Sequence, residues 1–84
     1  MEEEIGKVGD YFAHIGVVAL EITNDNLKIG DTIHIKGHTT DFTQQVESMQ
    51  IEGKLIEEVK VGDSVGIKIK DRVRRHDTVY KVTE

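Results

Sequence analysis

The sequence has no cysteine, no proline and no tryptophan among its 84 residues. Without cysteine it can form no disulfide, no thiolate metal site and no cysteine nucleophile. Its longest apolar run, residues 15–20, is six residues long, whereas a membrane-spanning helix needs about 18 or more. The acidic opening Met1 to Glu4 is unlike a secretory signal. These absences predict a cytoplasmic protein that does not enter a membrane.

The residues that are present favour strands. Valine and isoleucine number ten each, against three leucines and two alanines, and seven threonines complete a large β-branched fraction. Such side chains lose rotamer freedom on a helix but pack well on a pleated sheet. Apolar residues alternate with polar ones over residues 32–36 and 64–70. We therefore predict one all-β domain over residues 1–84, a small six-stranded closed antiparallel barrel.

A recurring segment predicts how several strands begin. Residues 27–33, 59–65 and 73–79 share an apolar residue, a Gly-Asp pair (His76-Asp77 in the third copy) and a β-branched residue. We interpret each copy as a turn in which the residue before the aspartate adopts positive φ and the aspartate binds the turn backbone. Two further expectations are local: a β-bulge near residues 47–49, and room for one helical turn at 55–60.

Catalytic and cofactor chemistry finds little support. Gly6-Lys7 lacks the flanking residues of a phosphate-binding loop, so no nucleotide cofactor is expected. The four histidines are His14, His34, His38 and His76. His34 and His38 lie about 13 Å apart on the polar side of an extended strand, so no metal site is expected. Neither Ser48 nor Ser64 lies in a nucleophile elbow. We predict a protein that is not an enzyme.

One segment concentrates positive charge, although the chain carries a net charge of −5. Residues 68–81 hold six basic and two acidic residues. Such segregation could form a strip that contacts RNA phosphates. The alternative is a solvated strand face followed by arginines that pair with nearby carboxylates. The candidate RNA-binding residues are Lys68, Lys70, Arg72, Arg74 and Arg75.

A second candidate is the polar segment after residue 37. Its residues either form a recognition loop or connect two strands, with the aromatic residue covering the end of the barrel. The members are His38, Thr39, Thr40, Asp41 and Phe42.

Two family resemblances cover nearly the whole chain. Residues 46–51, with their Val-x-Ser-Met-Gln pattern, and the Gly-Asp-x-Val-Gly of residues 62–66 resemble the second domain of translational GTPases such as elongation factor Tu. Residues 5–8 and 27–35 are similar to its opening strands, but valines replace the alanines usual before Gly62. Residues 33–42 and 45–50 resemble more closely the C-terminal barrel of the collagenase-like peptidase family of unknown catalytic type, some of whose bacterial members act in RNA base hydroxylation.

These resemblances imply a binding module without the catalytic region. The first implies association with RNA, either tRNA or the ribosome. The second implies a protein-interaction module acting in trans with a collagenase-like peptidase or an RNA-modifying partner, and it favours residues 38–42 as a recognition loop. We expect a monomer or a weak homodimer, because open strand edges could pair.

Overall fold

The structure, a computed structural model, describes residues 1–83; Glu84, the last residue of the predicted domain, lies outside the described residues. These residues form ten strands: β1 (Glu2–Phe12), β2 (Val17–Ile22), β3 (Leu27–Lys28), β4 (Thr32–Lys36), β5 (Asp41–Gln45), β6 (Met49–Ile51), β7 (Lys54–Ile56), β8 (Glu58–Val59), β9 (Ser64–Lys68) and β10 (Thr78–Val82). None of residues 1–83 belongs to a helix with the length and apolar character needed to cross a membrane. The predicted all-β class is confirmed.

The strands form an open sheet, so the predicted six-stranded closed barrel is wrong. Eight strands lie in the order β5-β4-β10-β1-β2-β9-β6-β7, and β3 and β8 form a separate two-stranded sheet. All assigned pairs are antiparallel. Among residues 1–83, no backbone ladder joins the edge strands β5 and β7. The spacing of apolar runs and polar turns predicted six strands, whereas the described residues form ten, four of which are only two or three residues long.

A side chain takes the place of a ladder at one edge of the sheet. The amide of Gln44, in β5, donates from Nε2 to the Lys68 carbonyl at 3.0 Å, and its Oε1 accepts from the Lys70 N–H at 2.9 Å. The side-chain amide of Gln44 thus satisfies the Lys68 carbonyl and the Lys70 N–H, which the backbone of a neighbouring strand would otherwise bind. The end of β9 is therefore tied to β5 without strand pairing.

The two local expectations are also wrong. Residues 46–48 interrupt the sheet between β5 and β6, while the register shifts lie in β1, between Glu4 and Gly6 and between Val8 and Asp10. Residues 55–60 contain parts of β7 and β8 and no helical turn. Val46 and Met49 are nevertheless buried as expected, because the interruption of the strand at residues 46–48 lets both side chains turn inward.

The predicted alternation does build the core. Ile33, Ile35, Val65, Ile67 and Ile69 are all buried in one continuous apolar cluster. Strand geometry places alternate residues on opposite faces, so Lys68, between Ile67 and Ile69, remains exposed. Burial of such side chains contributes about 1.5–3 kcal/mol each.

The recurring turn is confirmed in all three copies. Gly30, Gly62 and His76 have φ values of 96°, 98° and 73°. In each copy the aspartate side chain accepts a hydrogen bond from the backbone N–H three residues earlier, at 3.0, 2.9 and 2.9 Å. In each copy a buried residue of another segment pairs with the turn: its carbonyl accepts from the N–H of the positive-φ residue, and its N–H donates to the carbonyl of the aspartate. This buried residue is Val46 in the first copy, Ile22 in the second and Val8 in the third. The three turns therefore fasten three strand ends to the core by the same device.

The turns divide between two ends of the sheet. The first two precede β4 and β9, which run in the same direction because four antiparallel pairings separate them. The third precedes β10, which runs the opposite way. It therefore lies at the end of the sheet where β1, β4 and β9 finish.

Candidate functional site

A groove lies at the end of the sheet where β1, β4 and β9 finish, and we call it the arginine groove. Its volume is about 480 Å³. Its lining joins the end of β1 and the turn after it, the connection between β4 and β5, and the segment between β9 and β10. The lining residues are Tyr11, Ala13, Thr39, Thr40, Arg72, Val73 and Arg74.

The groove is positively charged because its lining contains two guanidinium groups and no carboxylate. Arg72 and Arg74 are exposed, and among residues 1–83 neither guanidinium group has a carboxylate oxygen within 4.0 Å. Val73 between them is buried. Both arginine side chains are therefore on the exposed side of the segment that faces the groove.

The neighbouring aspartates are already engaged. Asp71 accepts from the Arg72 N–H at 2.7 Å, and Asp77 accepts from the Arg74 N–H at 2.9 Å. Asp10 accepts from the Tyr11 N–H at 2.9 Å. These aspartates shape the backbone of the groove, and their hydrogen bonds to backbone groups leave the two guanidinium groups without an ionic partner.

One close contact holds the two sides of the groove together. Gly37 precedes the loop on one side, and its N–H donates to the Thr40 carbonyl at 2.8 Å. A Cβ built on Gly37 would lie 1.9 Å from Oδ1 of Asp77, which belongs to the turn on the other side and is buried. Glycine is required at residue 37 because the carboxylate of Asp77 occupies the space of a side chain.

The predicted recognition loop only partly reaches this site. Thr39 and Thr40 line the groove. Phe42 lies in β5, is half-buried and packs against the core. Asp41 is bound to His34, and His38 is exposed outside the groove lining.

The predicted basic strip is divided among three environments. Lys68 and Lys70 are exposed and line a second groove that also contains the carboxylate of Glu47. Arg75 lies 3.5 Å from Asp10, the pairing that the alternative interpretation expected. Only Arg72 and Arg74 share a groove with the 39–40 loop.

Tyr11 is the lining residue that the sequence did not indicate. It is half-buried against the core and brings an aromatic ring to the groove. Nothing in the local pattern around residue 11 connects it with residues 39 or 72. Only the pairing of β1 with β10 and of β10 with β4 brings these segments together.

His34 forms an unexpected polar cluster outside the groove. Its Nδ1 lies 2.9 Å from the Glu2 carboxylate and its Nε2 lies 2.5 Å from Oδ1 of Asp41. The hydrogen bond to Asp41, and then that to Glu2, raises the pKa of the His34 imidazole above its usual value. The ring centroid of Tyr80 lies 6.0 Å away. Carboxylates facing both ring nitrogens favour the protonated form of the ring, in which both nitrogens donate.

A similar cluster lies beside the first strand. Lys81 pairs with Asp25 at 3.1 Å and donates to the Asn26 carbonyl at 2.7 Å. Hydrogen bonds from Glu3 and then from Lys81 lower the pKa of Asp25 to about 2. The described residues contain no group of three or more histidine, cysteine, aspartate or glutamate side chains arranged to hold a metal ion.

Comparison with known proteins places the chain beside peptidases. It is 44% identical over 82 residues to an uncharacterised protease of Methanocaldococcus jannaschii, covering 96% of this chain and 20% of that protein. It is 37% identical over 78 residues to a collagenase of Porphyromonas gingivalis, covering 92% of this chain and 22% of that protein. The chain thus spans about a fifth of the length of the curated relatives that it matches. No family model matches the chain.

A solved structure shares the fold. The C-terminal domain of a Geobacillus thermoleovorans protein assigned to the U32 peptidases superposes with a TM-score of 0.90 at 21% identity, covering 96% of this chain and 93% of that domain. A selenomethionine form of the same domain gives a TM-score of 0.85. The predicted resemblance to the C-terminal domain of collagenase-like peptidases is therefore confirmed.

The predicted function requires correction. We expected a module resembling the second domain of elongation factor Tu that associates with tRNA or the ribosome. The similar proteins are instead a protease, a collagenase and the C-terminal domain of a U32 peptidase. That prediction is wrong because the matched motifs build turns and core, which do not specify a ligand.

Proposed function

We propose that the chain is a non-catalytic accessory module of a collagenase-like peptidase, and that it binds polypeptide in the arginine groove. The observation that carries the proposal is that proteins named protease and collagenase contain a region similar to nearly this whole chain. Polypeptide is the common substrate class of proteins with those names. The module would contribute binding, and the remaining four-fifths of such a protein would contribute the chemistry.

The groove has the residue types that recognise polypeptide. Tyrosine and arginine are enriched at binding hot spots, because each combines a large contact area with directional hydrogen bonding. Here Tyr11, Arg72 and Arg74 meet in one depression, and the threonines of the 39–40 loop add hydroxyl groups. A volume of 480 Å³ is suited to a few side chains of a bound segment.

A non-catalytic role agrees with the hydrogen bonding of His34, whose two ring nitrogens both contact carboxylates. A hydrolytic triad needs an imidazole with one nitrogen free to take a proton from a nucleophile. Both nitrogens of His34 are bonded to carboxylates, so this ring has no free nitrogen for that step. The proposal therefore assigns peptide-bond hydrolysis to another part of the peptidase.

The test is retention of the purified chain on immobilised gelatin, combined with incubation of the chain with soluble gelatin. We expect retention of the wild-type chain, reduced retention of an Arg72→Gln/Arg74→Gln variant, and no new gelatin fragments. Arg75→Gln serves as the matched control, because its guanidinium pairs with Asp10 outside the groove lining. Absence of retention, or gelatin cleavage by the chain alone, would overturn the proposal.

A further inference from the structure

We infer that the arginine groove selects an acidic stretch of polypeptide whose carboxylates are two residues apart. This inference rests on the proposed polypeptide-binding function and adds the chemical class of the segment that is bound. It depends on three observations: unpaired charge, the spacing of the two arginines, and the contrast with the rest of the surface.

The two guanidinium groups of the groove have no carboxylate partner among residues 1–83. Arg72 and Arg74 are the only charged residues in the groove lining, and no carboxylate oxygen of residues 1–83 lies within 4.0 Å of either guanidinium group. A guanidinium binds a carboxylate through two parallel hydrogen bonds, which are shorter and stronger than those between neutral groups. A ligand that brings carboxylates therefore gains more in this groove than a neutral ligand of the same shape.

The spacing specifies how the carboxylates are arranged. Arg72 and Arg74 are exposed on either side of buried Val73 in the connection between β9 and β10, and both line the groove. Residues two apart on extended backbone are about 6.5–7 Å apart and point to the same side. An extended peptide with glutamates at i and i+2 presents both carboxylates on one side, so both can face the two arginines of the groove. Adjacent glutamates would point to opposite sides, and only one would face the groove.

The rest of the surface disfavours acidic ligands. The chain carries 16 acidic and 11 basic residues, so an acidic peptide is repelled by most of the molecule. The second groove contains Lys68 and Lys70 but also Glu47, which opposes an incoming carboxylate. Electrostatic complementarity of this kind determines where a charged ligand binds more than how tightly it binds. The arginine groove is thus the site to which an acidic segment is directed.

The test uses three labelled ten-residue peptides that differ only at their centre, with Glu-Ser-Glu, Gln-Ser-Gln or Ser-Glu-Glu between Gly-Ser flanks. Binding to the wild-type chain is measured by fluorescence anisotropy at low and at moderate salt. We expect Glu-Ser-Glu to bind about tenfold more tightly than Gln-Ser-Gln, with Ser-Glu-Glu between them. The advantage should shrink with added salt, because exposed charges are screened.

Protein variants locate the effect. Arg72→Gln/Arg74→Gln should abolish the preference for Glu-Ser-Glu, whereas Arg75→Gln and the exposed Lys54→Gln should retain it. Equal binding of all three peptides at the groove would overturn the acidic selection and leave the proposed polypeptide binding intact. Binding of none of them, together with loss of gelatin retention, would overturn both. Inorganic polyphosphate is added as a competitor. If it displaces all three peptides equally by binding Lys68 and Lys70, the attraction is non-specific and the inference is also overturned.

Discussion

Replacing Gly37 by alanine should separate the two sides of the arginine groove. The new Cβ would lie 1.9 Å from Oδ1 and 2.5 Å from Cγ of Asp77, whereas such contacts in proteins essentially never fall below 3.0 Å. The carboxylate would have to move by more than 1 Å. It cannot do so freely, because Asp77 is buried and its other oxygen accepts from the Arg74 N–H at 2.9 Å.

These contacts give the expected decrease in the free energy of unfolding for Gly37→Ala. Forcing extra atoms into a packed site costs about 1–3 kcal/mol, and loss of a hydrogen bond to a charged group about 1.5–3 kcal/mol. Only one of these costs applies fully, since movement of the aspartate relieves the overlap. Alanine also lowers the entropy of the unfolded chain, which returns about 0.4–1 kcal/mol. We expect a net loss of about 1–2 kcal/mol, or roughly 4–16 °C in Tm for a domain of this size.

Urea unfolding followed by circular dichroism measures this loss, because the chain contains no tryptophan. The matched control is Gly9→Ala in β1, whose Cβ would meet its nearest atom at an ordinary 3.4 Å and should change the free energy of unfolding by less than about 0.5 kcal/mol. In an Asp77→Ala background, Gly37→Ala should cost almost nothing. Additive effects of the two substitutions would refute the assigned contact.

Three further outcomes follow from the described contacts. The pKa of His34 is raised by Asp41 and then by Glu2, so the stability from this cluster is fully present below pH 6.5 and lost as pH rises through the raised pKa. The free-energy difference between wild type and His34→Gln should therefore fall from about 1 kcal/mol at pH 6 toward zero at pH 9 in urea titrations, and a pH-independent difference would contradict it. His76→Gly should stabilise the chain by roughly 0.5–1 kcal/mol, since relief of a left-handed φ of 73° exceeds the entropy cost of glycine; a lower Tm would show that the turn is not strained. Gln44→Glu should cost about 1 kcal/mol, because a carboxylate cannot donate to the Lys68 carbonyl. Thr43→Val, at an exposed position on the same strand, should be close to neutral in the same thermal melt.

The features that the sequence predicted correctly are those set by neighbouring residues. Alternation over residues 32–36 and 64–69 specifies which side chains enter the core, and the three aspartate turns depend on four consecutive residues each. The turn copy with His76 was recognisable because the flanking residues preserve the pattern. Local chemistry of this kind does not depend on how the strands are ordered.

The features that it missed depend on contacts between distant residues. The amide of Gln44 replaces a ladder to the end of β9 through a side chain, which no periodicity reveals. His34 was correctly placed on the polar side of its strand, but its carboxylate partners come from β1 and β5. Tyr11 reaches the groove only through the sheet order. For the same reason the sequence could not show that Arg75 pairs with Asp10 while the guanidinium groups of Arg72 and Arg74 have no carboxylate partner among residues 1–83.

The most direct test of polypeptide binding at the arginine groove is a nuclear magnetic resonance titration of the isotope-labelled chain with soluble gelatin fragments. Binding at the arginine groove should give amide shift changes concentrated at residues 11–13, 39–40 and 72–74, and these changes should be lost in Arg72→Gln/Arg74→Gln but not in Arg75→Gln. Shift changes concentrated on β6 and β7, or none at saturating gelatin, would contradict it.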